Sequence, residues 1–188
     1  LSNAYCSLAE LFMTENSSSD EECEKYCKAA IESDPKNIEA YIISANILLD
    51  QERKDEAAAI LKSSFEMLNL KVPQDNDDES VNGDNMDETQ QNDATNLESK
   101  IEDQEETGEL PLYDTRKNLA RLLIETGEYE KSQLIMDTLL EEIDTDAEVW
   151  YMLGFNLFLQ EQYEDATFLL NRAKEVYKKT EHDNDDQD

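Results

Sequence analysis

The sequence is poor in the residues from which catalytic sites and tight loops are commonly built. Its 188 residues include four glycines, three prolines and one histidine. Four glycines are too few for a glycine-rich phosphate loop, and His182 stands in a charged tail with no nucleophile at readable spacing. Three cysteines without a CxxC pair supply no zinc ligand set. We therefore expect no catalytic activity, no cofactor and no metal.

Long apolar runs and basic residues are also scarce. No apolar stretch approaches the roughly 20 residues needed to cross a bilayer, and no signal peptide is visible, so we expect no membrane partner. A reducing location, cytoplasm and nucleus, is the default expectation. Only 16 Lys and Arg oppose 47 Asp and Glu, which gives a formal charge of −31. Such a field repels phosphate, so the chain is not expected to bind nucleic acid directly.

What the chain does contain is a repeated pattern of apolar and small residues that resembles the tetratricopeptide (TPR) repeat. The clearest unit holds Trp150, Leu153, Gly154, Leu157, Tyr163, Ala166, Leu170 and Ala173, with Phe168 and Leu169 expected to complete the buried stripe of its second helix. Related units begin near Tyr5, at Ile38 and at Tyr113. A helical hairpin of this kind cannot bury its apolar face alone, so the units should stack into an all-α, TPR-like solenoid.

Small residues recur where the two helices of each hairpin must cross. The expected pairs are Ala45 with Ala57, Ala120 with Ser132, and Gly154 with Ala166. A larger side chain at these positions would force the helices apart. The tryptophan position is less regular, because the third unit holds Arg116 there. Four units with one template nevertheless predict four repeats.

The composition divides the chain into four parts. Residues 1–70 hold two repeats and 113–180 hold two more, while 71–112 read as a disordered acidic low-complexity linker and 181–188 as an acidic tail. The linker contains 14 Asp or Glu, two Lys and no aromatic residue. It either keeps the protein soluble or screens a basic client. Because Leu1 falls within an apparent helix, we expect further repeats before it.

A partner is expected in the concave groove, at the second, fifth, ninth and twelfth positions of each first helix. The predicted partner-binding residues are Glu10, Met13, Glu39, Ile42, Asn46, Leu49, Asp114, Lys117, Arg121, Glu148, Tyr151, Phe155 and Phe158, and Asn3, Cys6 and Ile124 hold the other positions. The last three of the predicted set form an apolar shelf beside Glu148, which could meet a Lys or Arg of a peptide. Alternatively, these aromatics pack against a following helix.

Two known TPR groups resemble the chain in part. The Hsp70 and Hsp90 cochaperones use groove Lys and Asn residues to clamp an acidic C-terminus, and Asn46, Lys117 and Arg121 lie at plausible positions for that role. The many groove carboxylates, however, would repel such a ligand. The TPR histone chaperones share the architecture of an acidic insertion within the repeats, which leaves a histone as an alternative client.

A closer resemblance is to the dedicated assembly chaperones of large-subunit ribosomal protein four. It covers the opening from Ala4 to Phe12 with Thr14, the acidic helix that reaches Cys27, and the residues Asp34 to Asn37. It also covers the segment from Trp150 to Gly154 and the acidic tail. The long insertion departs from that family. The resemblance implies a non-enzymatic chaperone that captures a newly made, basic ribosomal protein. It would keep this client soluble and escort it from the cytoplasm to the nucleus for assembly into pre-60S particles.

Overall fold

The computed structural model describes residues 1–14, 20–70 and 110–185, and these ranges contain helices joined by short turns. The helices are α1 (Ser2–Thr14), α2 (Asp20–Ser33), α3 (Ile38–Asp50), α4 (Lys54–Glu66), α5 (Tyr113–Thr126), α6 (Tyr129–Glu142), α7 (Ala147–Leu159) and α8 (Tyr163–Asp185). They pair in chain order into four hairpins, which confirms the all-α, TPR-like fold. Most of the predicted linker, 71–109, and the end of the tail, 186–188, lie outside the described residues.

Each helix packs against the next, and each first helix also packs against the first helix of the following hairpin. The main core runs from Ile38 in α3 to Leu153 in α7, so it joins helices on both sides of the insertion. A smaller core around Cys27 and Ala30 ties α1 and α2 to α3. The helices before residue 71 and after residue 109 therefore belong to one compact unit.

The turn inside three of the hairpins is the same. Glu52, Gly127 and Glu161 occupy equivalent positions, and all three have left-handed backbones with φ of 60°, 86° and 63°. In each case the next residue's amide donates to a carbonyl five residues earlier: Arg53 to Leu48 at 2.8 Å, Glu128 to Leu123 at 2.8 Å and Gln162 to Leu157 at 3.0 Å. This hydrogen bond is typical of a Schellman turn, in which glycine is favoured at the left-handed residue.

The irregular tryptophan position proves to be structurally regular. Tyr41, Arg116 and Trp150 each donate a side-chain hydrogen bond to a carbonyl of the segment that precedes their helix: Tyr41 to Pro35 at 3.0 Å, Arg116 to Pro111 at 2.9 Å and Trp150 to Asp144 at 2.7 Å. Arg116 is buried and also pairs with Glu142 at 2.8 Å. Three unrelated side chains thus anchor the segment before a first helix, because each has a donor at the end of a long, flat group.

The predicted small pairs lie buried at the helix crossings, and the Ser132 hydroxyl donates to the Ala120 carbonyl at 2.8 Å. The expected burial of Phe168 is wrong, since its side chain is 71% exposed. Phe168 lies two residues, about 200° of helix rotation, from buried Ala166. It therefore points away from α7. Helix α8 also extends to Asp185, beyond the expected end of the repeats, and no described helix is long and apolar enough to cross a membrane.

Candidate peptide-binding groove

The second and ninth positions of the first helices remain open to solvent. At the second position, Glu39, Asp114 and Glu148 are exposed. At the ninth position, Glu10, Arg121 and Phe155 are exposed and Asn46 is half-buried, while Met13 is exposed at the twelfth position of α1. Arg121 already pairs with Glu125 on its own helix at 2.7 Å. Carboxylates therefore dominate the open positions of the predicted groove.

The fifth position behaves differently, because in two hairpins it contacts the residue that caps the next first helix. Asn37 caps α3 and its amide reaches the Cys6 sulfur at 3.8 Å, while Asp146 caps α7 and accepts from Lys117 at 3.2 Å. Ile42, at the fifth position of α3, is 6% exposed and packs in the main core. Ile42, which was predicted to contact a partner, therefore lies in the core and is not open at the groove.

The twelfth position is also covered in the inner hairpins. Leu49 is half-buried against the main core, and Ile124 is 6% exposed within it. In the last described hairpin, both the fifth and the twelfth positions are exposed to solvent. Tyr151 at the fifth position is 55% exposed, and Phe158 at the twelfth is 49% exposed. Two of the three predicted aromatics thus occupy positions that are covered in the inner hairpins, and no described helix covers them here.

A compact ion network lies where α5 meets α7. Lys117 is 3.2 Å from Asp146 and 2.9 Å from Glu148, and the Tyr113 hydroxyl donates to Asp146 at 3.0 Å. Asp146 also accepts from the amides of Glu148 and Val149 as the N-cap of α7. Glu148, predicted to meet a partner's cation, is therefore already paired with Lys117. Since both lie at groove positions of successive repeats, their spacing in sequence could have indicated this pair.

The network shifts the pKa values of its members. Burial raises the pKa of Tyr113 to about 12, and its hydrogen bond to Asp146 acts in the same direction. For Asp146, burial acts to raise the pKa, but hydrogen bonds from Tyr113 and Lys117 outweigh it and the pKa is lowered. Burial likewise opposes the charge of Lys117, yet its bonds to Glu148 and Asp146 leave its pKa raised. The pair is thus held in its ionised form.

Four aromatic rings form a continuous exposed surface, which we term the aromatic ladder: Tyr151, Phe155, Phe158 and Tyr163. The Tyr151 and Phe155 ring centres are 6.3 Å apart with planes 2° from parallel, and those of Phe155 and Phe158 are 6.5 Å apart at 15°. Tyr163 meets Phe158 edge-on at 5.6 Å. Sequence reasoning counted Tyr163 among the positions of the clearest repeat and missed its place in this surface. An exposed apolar surface bordered by a carboxylate is typical of an interaction site.

The three cysteines, Cys6, Cys23 and Cys27, are buried. Burial, with a smaller contribution from nearby Glu39, raises the pKa of Cys6 to about 11. Burial also raises the pKa of Cys27 to about 12. Among the described side chains, no three His, Cys, Asp or Glu residues are grouped so that they could hold a metal ion.

Comparison with known proteins gives relatives in both sequence and structure, although no protein-family model matches the chain. The chain is 28% identical over 165 residues to a probable assembly chaperone of rpl4 from Schizosaccharomyces pombe, covering 86% of this chain and 40% of the relative. A solved structure of an assembly chaperone of RpL4, Acl4, matches at a TM-score of 0.58 and 25% identity, over 88% of this chain and 49% of that one. The chain thus spans less than half the length of either relative.

A crystal structure of MamA also matches at a TM-score of 0.58, over 96% of this chain and 81% of that one. Because the identity there is 12%, this likeness reports the fold alone. The two chaperone matches add agreement in sequence to agreement in fold. The chain is a TPR-like α-solenoid that resembles the assembly chaperones of ribosomal protein L4, as its sequence had suggested.

Proposed function

We propose that the chain binds ribosomal protein L4 as a non-catalytic assembly chaperone. The observation that carries this proposal is the similarity to RpL4 chaperones in both sequence and fold, over 86% and 88% of the chain. The function requires binding, shielding and release, and none of these steps needs a reacting group. By analogy with that family, the client is taken up in the cytoplasm and delivered to the nucleus for pre-60S assembly.

The open groove positions suit a basic segment of such a client. Glu10, Glu39, Asp114 and Glu148 are exposed on four successive first helices, and the whole chain has a formal charge of −31. A Lys- or Arg-rich segment lying along these helices would neutralise charge on both partners, and the long-range field would speed its approach. The predicted site therefore consists of the open positions, without Ile42.

Apolar contacts would complement this attraction. Phe155 holds the ninth position of α7 and is exposed, with Tyr151 and Phe158 beside it. Exposed aromatic rings contribute much of the binding energy at protein interfaces because they bury a large area with few rotatable bonds. We therefore expect a client whose basic segment also carries apolar side chains.

The proposal can be tested with purified chain and purified RpL4. Titration calorimetry should detect a complex of one chain with one client, and its affinity should fall as salt rises, because exposed charges are screened. A histone and an unrelated basic ribosomal protein serve as controls of similar charge. If the histone binds tightly and RpL4 does not, the client is a histone and the proposal is contradicted. An affinity that does not change with salt would contradict the expected role of charge attraction.

A further inference from the structure

The aromatic ladder lies beside a carboxylate, and this combination limits what can cover it. Glu148 is one helical turn from Tyr151, and its side chain is 60% exposed despite its contact with Lys117. The faces of aromatic rings carry partial negative charge. Ring faces next to a carboxylate therefore favour a cation over a neutral or acidic group.

The chain places its own cations on rings of the same array. Arg172 lies 5.7 Å from the centre of the Trp150 ring, and Arg116 and Lys117 lie 6.0 Å and 5.8 Å from that of Tyr113. These distances are within the usual range of cation–π contacts. Within the described part of the chain, no cation–π contact involves a ring of the ladder. The ladder rings are therefore of the same kind as the rings that already hold a cation, but their exposed surface is free to bind a cation from another molecule.

The arrangement of the rings favours a guanidinium over an ammonium group. Tyr151, Phe155 and Phe158 hold their planes within 15° of one another in successive pairs. A guanidinium is flat and weakly hydrated, so it can lie against aligned rings while its N–H groups reach a carboxylate. An ammonium is a strongly hydrated point charge without a flat face.

Building on the proposed function, we propose that the aromatic ladder and Glu148 form an arginine-reading site for an extended segment of the client. An arginine of that segment lies over Phe155 and Tyr151 and pairs with Glu148. Glu148 then exchanges part of its contact with Lys117 for the incoming guanidinium. Lysine at the same place retains the charge attraction but loses the stacking.

A competing occupant is the first helix of a second copy, because each first helix in the described part of the chain packs against the next first helix. The charges argue against it. Helix α1 contains no basic residue and exposes Glu10, so it would bring like charge toward Glu148. Carboxylates facing each other are destabilising. An arginine-containing segment provides the charge that this surface lacks.

The test compares two fluorescent peptides of equal length and charge, one built from glycine, serine and arginine and the other with lysine for every arginine. Anisotropy titrations with the full chain should give about fivefold tighter binding for the arginine peptide. Phe155→Leu should remove this preference and leave lysine-peptide binding nearly unchanged. Phe168→Leu is the matched control, because Phe168 is an exposed aromatic of α8 outside the ladder, and should preserve the preference.

Three other outcomes of the peptide titrations would contradict the proposal. Equal affinity for the two peptides, no binding of either, or a preference that survives Phe155→Leu would overturn the arginine-reading site. If RpL4 still binds the chain in its own titration, the proposed function stands although the arginine-reading site does not. If RpL4 does not bind, the proposed function is contradicted as well. Sedimentation that shows self-association abolished by Tyr151→Asp would assign the ladder to a second copy and also overturn the inference.

Discussion

Gly154 in α7 and Leu170 in α8 approach so closely that a methyl group on Gly154 would lie 2.8 Å from the Leu170 Cγ. The same methyl group would lie 3.1 Å from the Leu170 backbone nitrogen. The other hairpins have alanine at this position, Ala9, Ala45 and Ala120, each fully buried. The fourth hairpin therefore requires glycine because of the approach of a neighbouring helix, and not because of a turn.

Gly154→Ala should lower the free energy of unfolding by up to about 2 kcal/mol. Alanine favours the helix by about 1 kcal/mol, but the overpacked crossing costs about 1–3 kcal/mol, and a backbone atom cannot rotate away. Urea unfolding measures the difference. In a Leu170→Ala background the loss should shrink, which a double-mutant cycle would show. A more stable Gly154→Ala protein would contradict the close crossing.

The left-handed turns predict that introducing a glycine at one turn stabilises the fold and that removing the glycine from another destabilises it. Glu161→Gly should raise the melting temperature, because a non-glycine residue at positive φ costs roughly 1 kcal/mol. Gly127→Ala, at the equivalent turn of the third hairpin, should lower stability by a similar amount. Thermal unfolding followed by circular dichroism compares both with the parent. Stabilisation by Gly127→Ala would argue against the shared turn geometry.

Asp146 should make stability depend on pH. Its folded pKa lies below the ordinary value of 3.8, so its ionised contribution is complete above that value and is lost as pH falls through the folded pKa. Asp146→Asn keeps a capping oxygen but cannot titrate, so its stability should fall less than the parent's upon acidification. Urea unfolding at stepwise pH tests this, with the exposed neighbour Asp144→Asn as control. Parallel curves for the parent and Asp146→Asn would refute the prediction.

The buried thiols should be unreactive in the folded chain. The pKa values of Cys6 and Cys27, raised to about 11 and about 12, leave almost no thiolate at neutral pH, and the thiolate is the species that alkylates. Native chain treated with iodoacetamide should keep its mass at these two sites, while urea-unfolded chain should be modified. Rapid labelling of Cys27 under native conditions would show that α2 opens readily.

In the groove, charge and apolar contact should separate in their response to salt. Glu148→Gln should weaken RpL4 binding at low salt and lose that effect as salt rises, because it removes only a charge. Phe155→Ala should weaken binding about tenfold at every salt concentration, since it removes apolar contact. Phe168→Ala is the control and should bind like the parent. Unchanged binding by both Glu148→Gln and Phe155→Ala would place the client elsewhere.

Several features could be predicted because they depend on local spacing. The crossing residues Ala45, Ala120 and Gly154 were recognisable, since only small side chains allow two helices to approach and they recur at fixed positions. Phe168 was misjudged, because apolar character was given more weight than its place on the helix. Arg116 appeared as a departure from the repeat, since a shared hydrogen bond to the preceding segment cannot be recognised from residue type.

By itself, the sequence determined four helical hairpins and an acidic chain, because helix periodicity and charge are properties of neighbouring residues. Only the tertiary structure decided which groove positions remain open. Ile42 and Tyr151 hold the same position in their repeats, yet one is buried and the other is exposed. The difference lies in whether another described hairpin packs against the helix, and such a contact between distant residues is not encoded in a local pattern.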